Sequence, residues 1–347
     1  NVGDDENPIY SCNDCGSFYV KINEGNRNNC RHRYDYDYNL QYCLEGVREY
    51  TDDEKDKEKD KDNDKINFEN SLRNQAQIIT DISFEKALGQ NLEYLNSIDF
   101  PKEIENKKEE NCQIFPPIKF VNNEIYKGSW NNNHQRHGFG INKNKDGFIY
   151  KGLWNNDNIG DYGLFLENNG NYYKGELKDG KLEGKGEMEI KGKYKYTGEF
   201  SNDLPNGKGF FEDYENGYKY TGEMLNGKKE GKGVLEYQDG VVYEGDFKDD
   251  VFNGIGTLKL NTGRKYEGEF VDGKIKGKGK FVWEDGKIYE GEYNNCMKNG
   301  FGKYYWNKDK YYEGQWLNNR QHGKGTIYYD GKEIEGIFRF GKIIKGN

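Results

Sequence analysis

Aromatic residues and glycines recur with a fixed period over the second two-thirds of the chain. Tyrosines that open a Tyr-x-Gly unit follow one another at intervals of 23 or 24 residues, and Ile334 continues the series. In each unit a glycine comes two residues after the tyrosine and an aromatic or large apolar residue comes four residues after it, as in Tyr266, Gly268 and Phe270. Alternate residues of a β-strand share one face. The pattern therefore predicts a strand with these three residues on one face and charged residues, such as Glu267, on the other.

A second strand is predicted in each unit after a turn that is commonly Asn-Gly-Lys or Asp-Gly-Lys. It opens with Gly-x-Gly, as at Gly277 and Gly279, and ends at another turn such as Asp239-Gly240. These turn sequences favour tight β-hairpins. Glycine weakens a strand unless a neighbouring group needs the space, so its regular recurrence predicts rings that lie against bare backbone. One hairpin per repeat gives a mainly β fold, an elongated single layer of antiparallel hairpins in which neighbouring repeats stabilise one another.

The recurrent Tyr-x-Gly-Glu-Trp/Phe followed by Gly-Lys-Gly resembles the MORN (membrane occupation and recognition nexus) repeat family. Nine full units and a half unit match, opening at Tyr126, Tyr150, Tyr173, Tyr196, Tyr220, Tyr243, Tyr266, Tyr289, Tyr312 and Ile334. The second unit departs from the pattern because Asp161-Tyr162-Gly163 follows a shifted Gly160, which predicts a bulge or kink there. The half unit ends at Phe338 and is expected to close the array as a terminal strand.

The resemblance implies a structural role rather than a catalytic one. It implies a rigid scaffold for protein–protein interaction in a eukaryotic cytoskeletal assembly, notably the radial-spoke heads of cilia, and often a homodimer formed through the repeats. The expected partners are other proteins of a large complex, and the expected location is the cytoplasm, on the cytoskeleton or the ciliary axoneme. The alternative is a phospholipid or membrane-contact module, which other members of the family, such as junctophilins, imply.

The aromatic residues of the repeats are the predicted partner-binding site. A strip of aromatic rings left exposed on a thin sheet is the type of surface that marks interaction sites. We expect this strip to contact segments of a partner or of a second array. The predicted partner-binding residues are Tyr126, Trp130, Tyr150, Trp154, Tyr173, Tyr196, Phe200, Tyr220, Tyr243, Phe247, Tyr266, Phe270, Tyr289, Tyr293, Tyr312 and Trp316.

Changes in composition predict four regions along the chain. They are a Cys- and Tyr-rich segment (1–50), a charged linker (51–66), short amphipathic helices with an extended lead-in (67–120) and the repeat array (121–347). The linker alternates acid and Lys and cannot bury apolar surface. Two helices are predicted because apolar residues recur at helical spacing, first at Phe68, Leu72, Ile78 and Ile79 and then at Phe84, Leu88, Leu92 and Leu95. These helices are expected either to cap the first hairpin or to dock on a partner.

Four cysteines in the first segment have the spacing C-x2-C-x14-C-x12-C, at Cys12, Cys15, Cys30 and Cys43. Four thiolates at such a spacing can close a tetrahedral zinc site, with His32 as a substitute ligand. A structural zinc, disulfides in an oxidising compartment and free thiols are the interpretations that the spacing leaves open. No other cofactor is expected, and Cys112 and Cys296 look solitary.

Charge and composition argue against several classes of function. The formal net charge is -9, but residues 121–347 carry 36 Lys and Arg against 35 Asp and Glu, so the array lacks the basic excess that nucleic acid or anionic lipid attracts. No apolar run is long enough to cross a bilayer. Gly222 to Lys228 reads G-x4-G-K, but neither Ser nor Thr follows, so it is a hairpin turn rather than a phosphate-binding loop. Acidic residues follow the repeat register and form no acid–base pair or triad, so no catalytic residue is predicted and the chain is not expected to be an enzyme.

Overall fold

The repeats fold as antiparallel hairpins in the computed structural model, which describes residues 9–11, 18–20 and 76–346. The predicted mainly β fold class is confirmed. Two compact units are present, one within residues 35–215 and one that includes residues 216–347, called here the N-terminal unit and the C-terminal unit. The predicted zinc ligands Cys12, Cys15, Cys30 and Cys43, the substitute ligand His32 and the charged linker 51–66 all lie outside the described residues.

Two short strands near the start of the chain pair with each other, β1 (Ile9–Ser11) and β2 (Phe18–Val20). The helices of the N-terminal unit are α1 (Asp81–Leu88), α2 (Asn91–Ser97) and α3 (Lys102–Glu105). Its strands are β3 (Ala76–Ile78), β4 (Gln113–Ile114), β5 (Ile118–Phe120), β6 (Ile125–Trp130), β7 (Arg136–Lys143), β8 (Ile149–Asn155), β9 (Asn158–Leu166), β10 (Tyr172–Lys178), β11 (Lys181–Ile190), β12 (Tyr194–Ser201) and β13 (Leu204–Asp213).

The described part of the C-terminal unit from residue 216 onward contains strands and no helix. These strands are β14 (Tyr218–Leu225), β15 (Lys228–Tyr237), β16 (Val242–Lys248), β17 (Val251–Lys259), β18 (Lys265–Val271), β19 (Lys274–Val282), β20 (Ile288–Asn294), β21 (Met297–Asn307), β22 (Lys310–Leu317), β23 (Arg320–Tyr329), β24 (Lys332–Arg339) and β25 (Lys342–Gly346). Within each unit, consecutive repeat strands pair antiparallel, for example β18 with β19 and β19 with β20.

The helical segment differs from its prediction at its start. The interval from Phe84 to Leu95 forms two helices, α1 and α2, which are separated at Gly89, where φ is 60°. The helix predicted to run from Phe68 to Ile79 is wrong at its end, because Ile78 lies in β3 and pairs with Ile118. Thr80 caps the N-terminus of α1 by accepting a hydrogen bond from the Ser83 amide at 3.1 Å, so the helix begins only at Asp81. Residues 68–75 lie outside the described part of the chain.

Two-residue turns join the strands within the hairpins from the second repeat onward. At Asp272-Gly273 both central residues have positive φ, 49° and 70°, and at Asn295-Cys296 the values are 47° and 62°. These are the signs of a type I′ turn, whose twist matches that of the flanking strands. In several hairpins the second turn residue also binds the preceding hairpin, as where the Asp250 amide donates to the Lys229 carbonyl at 3.0 Å.

The tyrosines that open the repeats, called here the ladder tyrosines, lie on paired glycines. A Cβ built on Gly268 would come within 2.5 Å of the Tyr266 hydroxyl and within 2.5 Å of the Cα of Gly279 on the next strand. The hydroxyl of Tyr266 donates to the carbonyl of Glu269, three residues on, at 3.1 Å. The same contact recurs from Tyr126 to Tyr312. The glycine backbone of both strands therefore leaves the space in which each tyrosine ring packs, as was predicted from the regular glycines.

Aromatic residues four positions after the ladder tyrosines join neighbouring repeats. Phe270 lies edge-on to Tyr266 of its own repeat at 5.1 Å between ring centroids, and edge-on to Tyr243 of the preceding repeat at 5.2 Å. Trp316 stands in the same way between Tyr312 and Tyr289, at 5.3 and 5.2 Å. Edge-to-face pairs at these distances are favourable beyond the area they bury. The rings therefore make each repeat part of the core of its neighbour.

The acidic residue of the Tyr-x-Gly-Glu sequence holds a bulge on the second strand. Between the pairs Gly268–Gly279 and Phe270–Ile275 the second strand has two more residues than the first, and Gly277 lies in the bulge with a φ of 80°. The carboxylate of Glu269 accepts a hydrogen bond from the Lys278 amide at 3.1 Å. The bulge predicted in the second repeat is present, since its register shifts between Gly152 and Trp154, and the same kind of shift occurs in other repeats, as between Gly268 and Phe270.

Replacing Gly279 by alanine tests the packing of the Tyr266 ring against glycine backbone. The new Cβ would come within 2.5 Å of Cε2 of Tyr266, so we expect the free energy of unfolding to fall by about 3 kcal/mol, as for severe overpacking. Gly286→Ala is the matched control, because its Cβ meets nothing within 4 Å and only its φ of 81° is unfavourable. That control should lose about 1 kcal/mol. Urea denaturation of both variants measures the difference, and equal losses would contradict the proposed packing.

Alkaline pH should unfold the array through the ladder tyrosines. Burial raises the pKa of Tyr312 to about 12 from 10.0, and burial raises the pKa of Tyr243 still further. The unfolded chain therefore loses these protons first, so the stabilisation is complete below pH 10 and decreases as the pH rises from 10 towards 12. Denaturant midpoints measured across this range, together with tyrosinate absorption, test the expectation. Ionisation of these tyrosines at pH 10 without any loss of stability would contradict it.

Candidate protein-binding face

The predicted aromatic binding strip is buried, and the prediction that it is exposed is wrong. The rings fill the space between successive repeats and rest on glycine backbone, which removes them from solvent. The buried residues are Tyr126, Trp130, Tyr150, Trp154, Tyr173, Tyr196, Phe200, Tyr220, Tyr243, Phe247, Tyr266, Phe270, Tyr289, Tyr293, Tyr312 and Trp316. This face of the sheet, called here the tyrosine face, forms the internal core of the repeats.

One lysine of the tyrosine face lies inside a box of aromatic rings. The Nζ atom of Lys298 lies 5.1 Å from the Trp283 centroid, 5.6 Å from that of Tyr289, 5.0 Å from that of Tyr304 and 5.1 Å from that of Trp316. Ring faces attract a cation at such distances. The box is therefore filled by a side chain of the protein, which is consistent with a core rather than a ligand site.

The other face of each sheet, called here the opposite face, carries the residues that alternate with the ladder tyrosines. It has an outer row, formed by the residue just before each ladder tyrosine and its cross-strand neighbours, and a middle row, formed by the residue just after. Ile149 paired with Leu166 belongs to the outer row, and Lys303 paired with Glu313 belongs to the middle row. The packing of the ladder tyrosines between repeats uses the tyrosine face, so the residue types of these two rows differ from one repeat to the next.

The helices of the N-terminal unit cover the opposite face of its first repeats. The buried core there joins Phe84, Leu88, Leu95 and Phe100 of the helical segment to Ile125, Ile149, Leu164 and Leu166 of the sheet. The Phe100 ring contacts Tyr162 edge-on at 5.7 Å and lies 6.1 Å from the ring of Phe139. We call this contact surface of the sheet the helix-covered patch. Of the two predicted roles for these helices, the structure shows packing against the array itself.

Polar contacts surround this apolar centre. In the middle row, Lys127 forms an ion pair with Asp81 of α1 at 2.8 Å, and Lys151 forms one with Glu105 of α3 at 2.5 Å. Lys143 of the outer row donates to the carbonyl of Ala87 at 2.6 Å, and burial lowers the pKa of Lys143. The lysines thus bind carboxylates and helix carbonyls, so the charge of the opposite face is complementary to that of an acidic helical segment.

A second apolar group lies on the opposite face of the C-terminal unit, and sequence reasoning missed it. Its outer row pairs Val282 with Ile288, Ile288 with Tyr305, Tyr305 with Tyr311 and Tyr311 with Tyr328. The rings of Tyr311 and Tyr328 stack at 4.3 Å between centroids. Two residues beside the middle row complete the group, Phe301 at 52% exposed and Ile337 at 40% exposed. We call these seven residues, Val282, Ile288, Phe301, Tyr305, Tyr311, Tyr328 and Ile337, the C-terminal patch.

Two shallow grooves flank Phe301. One, of about 650 Å³, is lined in part by Phe301, Tyr328 and Ile337, and the other, of about 640 Å³, is lined in part by Phe301, Lys303 and Tyr305. In the middle row, Lys303 forms an ion pair with Glu313 at 3.0 Å, and this hydrogen bond raises the pKa of Lys303. In the middle row beside the C-terminal patch, the charge of Lys303 is therefore balanced by Glu313 of the same row.

The signal that identifies both patches is present in the sequence. The outer row is apolar at Ile125, Ile149, Leu166 and Tyr172, where helices or their flanking residues cover it, and apolar again from Val282 to Tyr328. Between these stretches it is mostly charged, as at the cross-strand pairs Glu189–Lys195 and Lys259–Lys265. The residue before each ladder tyrosine would have indicated both patches, whereas the regular tyrosines themselves indicate only the internal packing.

No metal site is indicated by the described part of the chain. Residues 76–346 contain no group of three or more His, Cys, Asp and Glu side chains placed to hold an ion. Cys112 and Cys296 are free thiols, and burial raises the pKa of Cys296. The zinc prediction concerns residues outside this part and stays a prediction. Among the described helices, none is both long and apolar enough to cross a membrane.

Substituting Phe84 by aspartate should release the helices from the helix-covered patch. Phe84 is 3% exposed in the core of the patch, so a carboxylate there should lower the local stability by about 3 kcal/mol or more. Ile82→Asp on the same helix is the control, because Ile82 is 66% exposed. Hydrogen exchange of residues 81–97 measures the effect, with loss of protection expected only for Phe84→Asp. Similar protection in the two variants would show that the helices do not depend on this contact.

Comparison with known proteins identifies the repeats. The MORN repeat model matches the chain at residues 126–141, 173–190, 196–217, 220–242, 243–263, 266–288, 289–309 and 312–332. The unit that opens at Tyr150 is not among these eight matches, yet the Tyr150 hydroxyl donates to the Leu153 carbonyl at 2.7 Å as in its neighbours. MORN repeats are a non-enzymatic module. The search of curated proteins found no matching sequence.

Solved structures share only weak similarity with the chain. The TCP10 domain of Danio rerio CPAP, in complex with a peptide of Danio rerio STIL, is 9% identical, covers 59% of this chain and 93% of its own, and gives a TM-score of 0.34. The TCP10c domain of Drosophila melanogaster Sas-4 is 16% identical, with 49% and 93% covered and a TM-score of 0.26. Similarity at this level carries no information about function.

Proposed function

Since the chain carries MORN repeats, a module for protein interaction or membrane contact, we propose that it is a protein-binding scaffold. In this proposal it is a structural subunit of a larger eukaryotic assembly, on the cytoskeleton or in a cilium. Its partners are other proteins of that assembly. Residues of the opposite face, rather than the ladder tyrosines, make the contacts.

The observation that supports this proposal most directly is the helix-covered patch. There the opposite face holds a protein segment through a buried apolar centre, with Phe84 and Leu88 against Ile125 and Ile149. Ion pairs at its margin, such as Lys127 with Asp81 at 2.8 Å, add orientation. The repeats are therefore able to bind helices without disturbing their own internal packing.

Membrane contact is the competing function, and the charge distribution disfavours it. Residues 121–347 have nearly equal numbers of basic and acidic residues, 36 against 35. Lysines of the opposite face are paired with acids at Lys303–Glu313 and Lys232–Asp246, at 3.0 and 2.5 Å. Attraction to anionic lipid needs unpaired basic residues near the surface. A scaffold for proteins fits this balanced surface better.

Purification of the tagged full chain from its native cells tests the proposed function. We expect it to elute in a complex with other proteins, and the complex to resist moderate salt because its contacts are apolar at the centre. Co-localisation of the same tagged chain with cytoskeletal or axonemal markers tests the cellular setting.

Phosphoinositide vesicles provide the matched comparison for that experiment. Two results together would falsify the scaffold proposal. The first is co-sedimentation of the full chain with these vesicles that is lost as salt is added, and the second is elution of the chain free of other proteins. Stable protein complexes without vesicle binding support it.

A further inference from the structure

We propose that the C-terminal patch is a second docking site for an amphipathic α-helix, supplied by a different protein. This inference rests on the proposed scaffold function and names the class of partner. Its basis is the equivalence of two positions in the repeat, one of which the chain already covers with its own helices.

The residue types of the outer row depend on whether helices cover the row. Ile149 and Leu166 lie under the helical segment, whereas the pairs Glu189–Lys195 and Lys259–Lys265 are charged. At Ile288 and Tyr305, which pair with each other, the row is apolar again. Apolar residues gathered on an otherwise charged surface mark interaction sites. The change in composition therefore indicates a second covered region.

A helix fits the C-terminal patch better than an extended peptide does. The patch lies mainly on β19 to β23, and each of these strands is paired with a neighbour on both sides. Their backbone groups are therefore already hydrogen-bonded and cannot accept an added strand. A helix satisfies its own backbone and needs only apolar contacts from the surface it meets. The exposed Phe301 ring, with a groove on each side, provides the ridge that the side chains of such a helix would straddle.

The charges of the patch specify the partner further. In the helix-covered patch, lysines of the middle row take carboxylates from the helices, as Lys151 does from Glu105 at 2.5 Å. Beside the C-terminal patch, Lys303 of the middle row is already paired with Glu313 at 3.0 Å. The partner helix therefore needs an apolar stripe but no strong net charge, and its binding should depend little on salt. Among the described helices, α1 and α2 of a second copy already pack on their own sheet, so the proposal assigns this helix to another protein.

Photo-crosslinking in native cells identifies the occupant. The photoreactive residue p-benzoylphenylalanine replaces Phe301 in the full chain, and in a matched chain it replaces Ile255. Ile255 has the same position in its repeat and is 58% exposed, but its outer-row neighbours include Lys259 and Lys265. We expect position 301 to crosslink to a segment of another protein with apolar residues at helical spacing, and position 255 to give no such product.

Titration of the crosslinked segment, made as a synthetic peptide, completes the test. Phe301→Glu in the full chain should weaken its binding by roughly tenfold or more, as for a central contact, while Ile255→Glu leaves the affinity unchanged. Equal effects of the two substitutions, a crosslink to a second copy of this chain, a crosslink to lipid, or no crosslink at position 301 would each overturn the proposal. If Phe301→Glu leaves the peptide affinity unchanged while the unmodified chain purifies with other proteins, the scaffold function stands and only this site fails. Elution of the unmodified chain free of other proteins would instead remove the scaffold function.

Discussion

The structure depends on a tyrosine ring held against the bare backbone of two paired glycines. At Gly268 and Gly279 any side chain would overlap either the Tyr266 ring or the backbone of the facing strand. The phenol hydroxyl is satisfied locally, because it donates to a carbonyl three residues ahead. A polar atom is thereby buried without the cost of a lost hydrogen bond. Glycine, usually unfavourable in strands, is what makes this packing possible.

The remaining features of the repeat depend on this packing of the tyrosine rings against glycine. The aromatic residue four positions on reaches the tyrosines of two repeats, as Phe270 does with Tyr243 and Tyr266. The acidic residue after the glycine stabilises the bulge of the second strand, as Glu269 does by accepting a hydrogen bond from the Lys278 amide. The packing of the ladder tyrosines between repeats is therefore confined to one face of the sheet. The opposite face adds ion pairs between repeats, such as Lys303–Glu313, and in the N-terminal unit it packs against the helices. Under the proposed function, its variable residues are the ones that contact partners.

Specialisation is visible where the opposite face departs from its charged background. In the N-terminal unit Ile149 and Leu166 are buried under helices, and Lys127 and Lys151 bind their carboxylates. In the C-terminal unit Phe301 is exposed among apolar neighbours and internally paired charges. Under the proposed function, the regular repeat acts as the support, and deviations at a few positions determine which partner binds. Such an arrangement suits a scaffold better than a catalyst, whose groups must converge on one reacting atom.

The sequence by itself determined the repeating hairpin, because turn residues, strand alternation and the glycine requirement are all local and recur at a fixed spacing. It also predicted that rings lie on glycines, since glycine weakens a strand unless a neighbouring group needs the space. It could not say that the rings are buried, because burial of Tyr266 depends on Phe270 and on Tyr293 of the next repeat. Nor did spacing reveal that Ile78 joins a strand, since its partner Ile118 is distant in sequence. Only the tertiary structure decided that the tyrosine face is core and that helices cover part of the opposite face, because burial depends on contacts between segments that are distant in sequence.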